Sequence, residues 1–145
     1  MSNRTHDTRP TLRLLHTVNL PIRWGDMDAM GHVNNTVYFR FMEEARVDWF
    51  QVSGFNDRGA LPPDCGPVVI HAECTFRRAL TYPGTVQVRL LLGDVGRASV
   101  TFHYEMRPSY DADVIYAEAA SKGCWIDMKV SKSISLPAAV RALVT

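Results

Sequence analysis

One stretch governs what this chain can fold into. From Thr36 to Ser53, the residues Tyr38, Met42, Ala45, Trp49 and Val52 recur at steps of three and four, which puts them on one face of a helix. Phe41 widens that stripe, while Phe39, Val47 and Phe50 lie off it. A helix this apolar around its circumference needs cover on more than one side. Asn34 or Asn35 suits its N-cap and Gly54 its C-terminal stop.

Around the helix the period is two. Thr11–Trp24 carries Leu14, Val18, Leu20 and Ile22 and reads as a strand. Pro67–Phe76 places Val68, Ile70, Ala72, Cys74 and Phe76 on one face. Thr85–Leu92 and Arg97–Arg107 alternate in the same way, the latter with Ala98, Val100, Phe102, Tyr104 and Met106 inward. Val114–Asp127 is long enough for a fifth strand, and Pro137–Thr145 for a short helix. Tyr82-Pro83-Gly84 and Gly93–Gly96 read as turns, Phe55–Gly66 as a loop. Short turns predict antiparallel neighbours. The fold class is therefore α+β: one long central helix wrapped by a curved antiparallel sheet of about five strands. Such a sheet leaves open edges, which pairing with a second copy would cover.

Residues 1–10 are polar and predict a flexible N-terminus, leaving 11–145 as a single domain. The chain has 145 residues, the usual size of one domain, and no linker or repeat divides it. A net charge of +1 provides no basic field for nucleic acid and no basic tail for a membrane. No apolar run is long enough to span a bilayer, and the N-terminus does not read as a secretory signal. Cys65, Cys74 and Cys124 are odd in number and widely spaced, which predicts buried thiols in a reducing cytoplasm.

The chemistry concentrates in Gly25–Asn35. Asp26, Asp28, His32, Asn34 and Asn35 precede the apolar helix within a Gly-rich turn. A helix start presents unpaired N–H groups and about half a positive charge, which stabilise an anion or a carbonyl oxygen becoming one. A carboxylate a few residues upstream can face the same point as nucleophile or as base for water. That pairing suits a substrate with a good leaving group, such as a thioester. The same residue types also serve as plain turn formers and caps, and Asp-x-Asp-x-x-x-His could hold a divalent metal.

Arg23-Trp24-Gly25-Asp26-Met27-Asp28-Ala29-Met30-Gly31-His32-Val33-Asn34-Asn35, followed by Tyr38, Phe41, Glu43, Ala45 and Arg46, resembles the signature of the 4-hydroxybenzoyl-CoA thioesterase-like acyl-CoA thioesterases. The resemblance implies the hotdog fold, a homodimer or homotetramer, and hydrolysis of a fatty or other acyl-CoA to free acid and CoA. It implies no separate cofactor, since coenzyme A is part of the substrate; a carrier-protein thioester is the alternative substrate. By position, Asp28 matches the family's catalytic aspartate, acting as nucleophile or as general base and coming from the facing subunit. Asn35 matches the helix-start residue whose N–H polarises the thioester carbonyl, and Tyr38 an aromatic residue near the thioester. Asp26 matches a less essential acidic position that structures the loop. Three departures concern the substrate and rim: Asn35 stands where some members have Tyr or His, Phe76-Arg77-Arg78-Ala79 lacks the usual proline, and Gly84-Thr85 replaces Gly-Asp.

Glu43 is a second acid on the helix, with Arg46 spaced to pair with it. Arg77, Arg78, Arg97 and Lys122 are candidate contacts for coenzyme A phosphates, and Met27 and Met30 for an acyl pocket. The rival functions are a hotdog hydratase or dehydratase, for which the Gly-Asp-x-Asn-Pro-x-His run is missing, and a non-catalytic acyl-thioester binding module. The Gly-x-Ser-x-Gly motif of serine hydrolases and the phosphate-binding glycine motifs are missing too.

Overall fold

In the computed structural model, the period-two segments form five long strands. They are β1 (Arg13–Ile22), β2 (Cys65–Phe76), β3 (Gly84–Val95), β4 (Ser99–Pro108) and β5 (Ala117–Asp127). The long helix α1 (Asn35–Val52) falls between β1 and β2; a two-residue strand β6 (Lys132–Ser133) and a short helix α2 (Ala138–Leu143) follow β5. The structure describes residues 12–55 and 61–145, so the expected flexible stretch 1–10 lies outside the described residues, as does part of the loop before β2. No helix among the described residues is long and apolar enough to cross a membrane.

The strands are antiparallel, in the order β1-β3-β4-β5-β2, with β6 on β5. One face of the sheet buries Val86, Val88 and Leu90 of β3, all five inward residues expected between Ala98 and Met106, and Trp125 of β5. Against them α1 buries Tyr38, Phe41, Met42, Ala45 and Trp49 in a single core cluster. This is the α+β hotdog arrangement: the apolar stripe of a rod-like helix is removed from water by a sheet whose alternate residues face it.

The structure corrects four expectations. Val52 ends the helical stripe 66% exposed, at the last residue of α1. The short connection between β2 and β3 does not make them neighbours. Residues 77–83 carry the chain across to the far side of the sheet, and β2 pairs with β5 instead. The expected turn at Gly93–Gly96 is mostly strand: β3 runs to Val95 through a register shift, and the Gly96 N–H to Ser99 carbonyl bond closes the turn. Finally, β2 is an edge strand with a bulge between Val69 and His71, so Val69, Ile70 and Phe76 stay exposed rather than forming one buried face. Phe39 and Val47 of α1 are likewise exposed, so within one chain the helix is covered mainly on its sheet side.

Asn34 caps α1. Its side-chain oxygen accepts the Thr36 N–H at 2.9 Å and the Thr36 hydroxyl at 2.6 Å. Asn34→Ala is expected to cost about 1 kcal/mol, the usual loss for a side-chain cap. Thermal unfolding followed by circular dichroism should then show a midpoint lower by about 3 °C.

Candidate active site

The segment between β1 and α1 is a miniature hairpin. Met27 and Val33 form an isolated bridge, and the Asp28 N–H donates to the His32 carbonyl at 2.8 Å. Gly31 donates back to the Asp28 carbonyl at 3.0 Å with φ of 79°, a left-handed conformation that a side chain would strain. At the tip, Asp28 Oδ1 accepts the Met30 N–H at 2.9 Å, which fixes the half-buried carboxylate.

Asp26 anchors the base of this hairpin. Its carboxylate is 4% exposed and takes a two-pronged contact from Arg40, at 2.8 and 3.1 Å, together with the Arg23 N–H at 2.9 Å. Its carbonyl accepts the Asn34 N–H at 2.9 Å, tying the hairpin to the helix cap. Burial alone would raise the Asp26 pKa, but the Arg40 and Arg23 hydrogen bonds and the two positive charges outweigh it and hold the carboxyl below its ordinary value. The Asp26 hydrogen bond raises Arg40 in turn. Asp26 is thus a loop-structuring residue, as expected. Arg40 was not legible in the sequence, because nothing local pairs two charges fourteen positions apart. The two carboxylates of the Asp-x-Asp run have separate tasks, one turned to Arg40 and one to the hairpin tip, which divides the set that a metal would need. Among the described residues, no three His, Cys, Asp or Glu side chains converge on one point.

The crossover after β2 closes the other side. Leu80 is fully buried: its carbonyl accepts the Val33 N–H at 2.9 Å, and its N–H donates to Tyr38 Oη at 3.3 Å. Tyr38 is 2% exposed, packs edge-on against Phe76 with ring centroids 4.8 Å apart, and is pushed up in pKa by burial, so it stays a neutral phenol. Cys74 of β2 is half-buried and pushed up to about 11, which keeps it a thiol. Cys65 and Cys124 are also free and half-buried rather than fully buried.

Between hairpin, helix start and crossover lies an open cleft of about 370 Å³, lined by Asp28, Met30, His32, Val33, Asn35, Tyr38 and residues 76–79. Asp28 and Asn35 reach it within a single chain, so a facing subunit is not needed to bring them together. The first turn of α1 supplies donors here. Asn34 takes the Thr36 and Val37 N–H groups, and the Asn35 N–H is left without an acceptor among the described residues. A carboxylate and a helix start that line one cleft have the chemistry to attack a carbonyl, or to activate water against it, and to stabilise the oxygen that gains charge.

Other sequence candidates separate from this cleft or join its rim. Glu43 and Arg46 do not pair; Arg46 donates to Tyr104 Oη at 3.0 Å, and Tyr104 shares a 2.6 Å hydrogen bond with Ser121. Arg77 and Arg78 are on the rim, bound to Glu118 at 2.5 Å and to Asp111 at 3.9 Å. Arg97 instead donates to Ser133 and Ser135, and Lys122 is exposed on β5 away from the cleft lining. Met30 lines the cleft, whereas Met27 packs on the core.

Comparison with known proteins shows the family. The family model described as the thioesterase-like superfamily matches residues 22–144. The solved structure of a provisionally assigned thioesterase of Pseudomonas aeruginosa, the PA2801 protein, is similar with a TM-score of 0.83 and 37% identity, covering 92% of this chain and 100% of that one. A provisionally assigned acyl-CoA thioesterase of Xanthomonas campestris gives a TM-score of 0.70 at 34% identity, over 79% of this chain and 95% of that one. A relative from Aquifex aeolicus, provisionally described as an esterase, is 29% identical over 116 residues, which are 80% of this chain and 87% of its own.

Proposed function

Because the chain belongs to the thioesterase-like superfamily, we propose that it hydrolyses acyl-CoA thioesters in the cleft shared by Asp28 and the start of α1. The observation that supports this reading is the shared cleft, which Asp28, held on a hydrogen-bonded hairpin, and Asn35, the first residue of α1, both line. In the proposed mechanism the thioester carbonyl oxygen accepts a hydrogen bond from the Asn35 N–H, where the helix dipole favours the charge it gains. Asp28 attacks the carbonyl carbon or takes a proton from the water that does. The C–S bond breaks and the sulfur leaves as thiolate, a good enough leaving group to need no dedicated acid. If Asp28 is the nucleophile, water then cleaves the acyl-aspartyl anhydride; either route ends in free acid and CoA. Tyr38, wedged between Leu80 and Phe76, shapes the wall beside the carbonyl.

A homo-oligomer fits the same reading. Val69, Ile70 and Phe76 on edge strand β2 and Phe39 and Val47 of α1 are exposed apolar residues that a second copy would cover.

The test is release of free thiol from acyl-CoAs of varied length and aromaticity. Release above the uncatalysed rate, from a protein that sediments at a multiple of 16.3 kDa, is the expected result. Hydration of an enoyl-CoA with no thiol released would favour a hydratase instead, and tight acyl-CoA binding with no turnover a binding module.

A further inference from the structure

A second cavity lies further along α1; Val47 and Val69, named above as exposed apolar residues, line it, and the proposed mechanism does not use it. It measures about 280 Å³ and is walled by Val47 and Phe50 of α1, Val68 of β2, Phe102 of β4, and Gly123 and Trp125 of β5. Glu43 and Arg46 border it as well. One residue helps to open it. The inward positions of β5 are Ala117, Ala119, Ser121, Gly123 and Trp125, all buried, and Gly123 alone puts no side chain into the space facing the helix. A Cβ built there would meet only the Val68 carbonyl, at 3.8 Å, so the glycine is not required by crowding or by a left-handed backbone. Glycine inside a strand weakens it and marks a bulge, a bend, or the close approach of a ligand or another backbone; Gly123 pairs with Val69, beside the bulge of β2. The buried Trp125 Nε1–H, which has no acceptor among the described residues, belongs to the same wall.

The cavity and the cleft are bounded by the same two elements. At the cleft these are the start of α1 (Asn35, Tyr38) and the end of β2 (Phe76); at the cavity they are the later turns of α1 and the beginning of β2 (Val68). Asn35, Phe39, Glu43, Arg46 and Phe50 follow one another at steps of three and four along a single face of α1, which runs from Asn35 at the cleft to Glu43, Arg46 and Phe50 at the cavity. From Asn35 to Glu43 the helix advances about 12 Å, and to Phe50 about 22 Å, at about 1.5 Å per residue. An extended alkyl chain advances roughly 1.3 Å per carbon, given a C–C bond near 1.5 Å.

We propose that this cavity, opened by Gly123, receives the distal part of the substrate's acyl group, and that the substrates are acyl thioesters of about ten to fourteen carbons, long enough at that rise to enter it. The inference rests on the thioesterase reading and names its substrate class. A four-carbon acyl group held at the helix start ends well short of Glu43 and leaves the cavity empty.

Gly123→Val and the milder Gly123→Ala fill the cavity from its floor. Thiol release from dodecanoyl-CoA and butanoyl-CoA is compared in the native protein and both variants, and binding of the free acid dodecanoate is measured by calorimetry. Expected is a fall of about tenfold or more in the dodecanoyl-to-butanoyl ratio of kcat/KM for Gly123→Val, the scale by which a pocket distinguishes one or two methylene-sized groups. Dodecanoate binding should weaken in parallel, with Gly123→Ala intermediate. If Gly123→Val does not fold, the Ala variant carries the test, since its Cβ has room. An unchanged ratio together with unchanged dodecanoate affinity overturns the proposal. So does a variant that alters only the sedimented mass, which would assign the cavity to contact between copies. Absence of thiol release from every acyl-CoA would defeat the thioesterase reading, and calorimetry would still decide the cavity's occupant.

Discussion

Asp28→Asn should lower kcat for thiol release by about a hundredfold to ten-thousandfold, the range in which a positioned base or acid contributes. The substitution keeps the size of the side chain and an oxygen that can accept the Met30 N–H, so the hairpin tip retains its 2.9 Å hydrogen bond. Only the charge and the nucleophilic oxygen are lost. KM should therefore stay within about threefold, because the proposed mechanism gives the substrate's remaining contacts to the helix start and the cleft walls. Circular dichroism and the unfolding midpoint should match the native protein. A variant that releases thiol at the native rate would remove Asp28 from the mechanism. A variant that is inactive but also unfolded would be followed by Asp28→Glu and Asp28→Ser, which differ in charge at similar polarity.

The second large effect is on stability. Arg40→Ala leaves the Asp26 carboxylate, 4% exposed, with the Arg23 N–H as its remaining hydrogen bond among those described. Breaking a fully buried pair by removing one partner costs about 3–5 kcal/mol; Arg40 is 42% exposed, so water screens part of the loss and about 2–3 kcal/mol is expected. The sign with pH follows from the lowered Asp26 pKa. A carboxyl whose folded pKa lies below its unfolded value stabilises the fold above the unfolded pKa, near 3.8, and loses that contribution as pH falls through the folded pKa. Native protein and variant should therefore differ most near neutral pH and converge in acid below that range. Denaturant unfolding at several pH values measures this. A gap that is constant with pH would mean that Arg40 contributes by packing and not through the Asp26 charge. Because the pair also ties the hairpin to the helix cap, kcat should fall in the same variant even where it remains folded.

Much of this protein was legible from its sequence. The α1 stripe at Tyr38, Met42, Ala45 and Trp49 is buried as its spacing predicts, and β4 alternates over its whole length. These readings succeed because a period of 3.6 or 2 is local: each residue's direction is set by its own backbone geometry. The run from Asp26 to Asn35 was also readable, since caps and tight turns demand particular residues at particular offsets. Arg40 and Leu80 were not readable. One reaches Asp26 and the other Tyr38 only after the chain has returned from elsewhere, and no local pattern records such a meeting.

Strand β2 shows the same boundary from the other side. Its alternation from Val68 to Phe76 reads as an inward face, yet the bulge after Val69 and its place at the sheet edge leave much of it open. The sequence by itself determined the long helix, the five long strands and the fold class, and narrowed the helix cap to Asn34 or Asn35. Only the tertiary structure decided strand order, the crossover of residues 77–83 to the far side of the sheet, the Arg40 clamp, and the gap over Gly123. The physical reason is that backbone dihedrals and side-chain periodicity act over a few residues. Which surfaces finally meet is settled by burying all the apolar faces at once, a condition on the whole chain that no single segment contains.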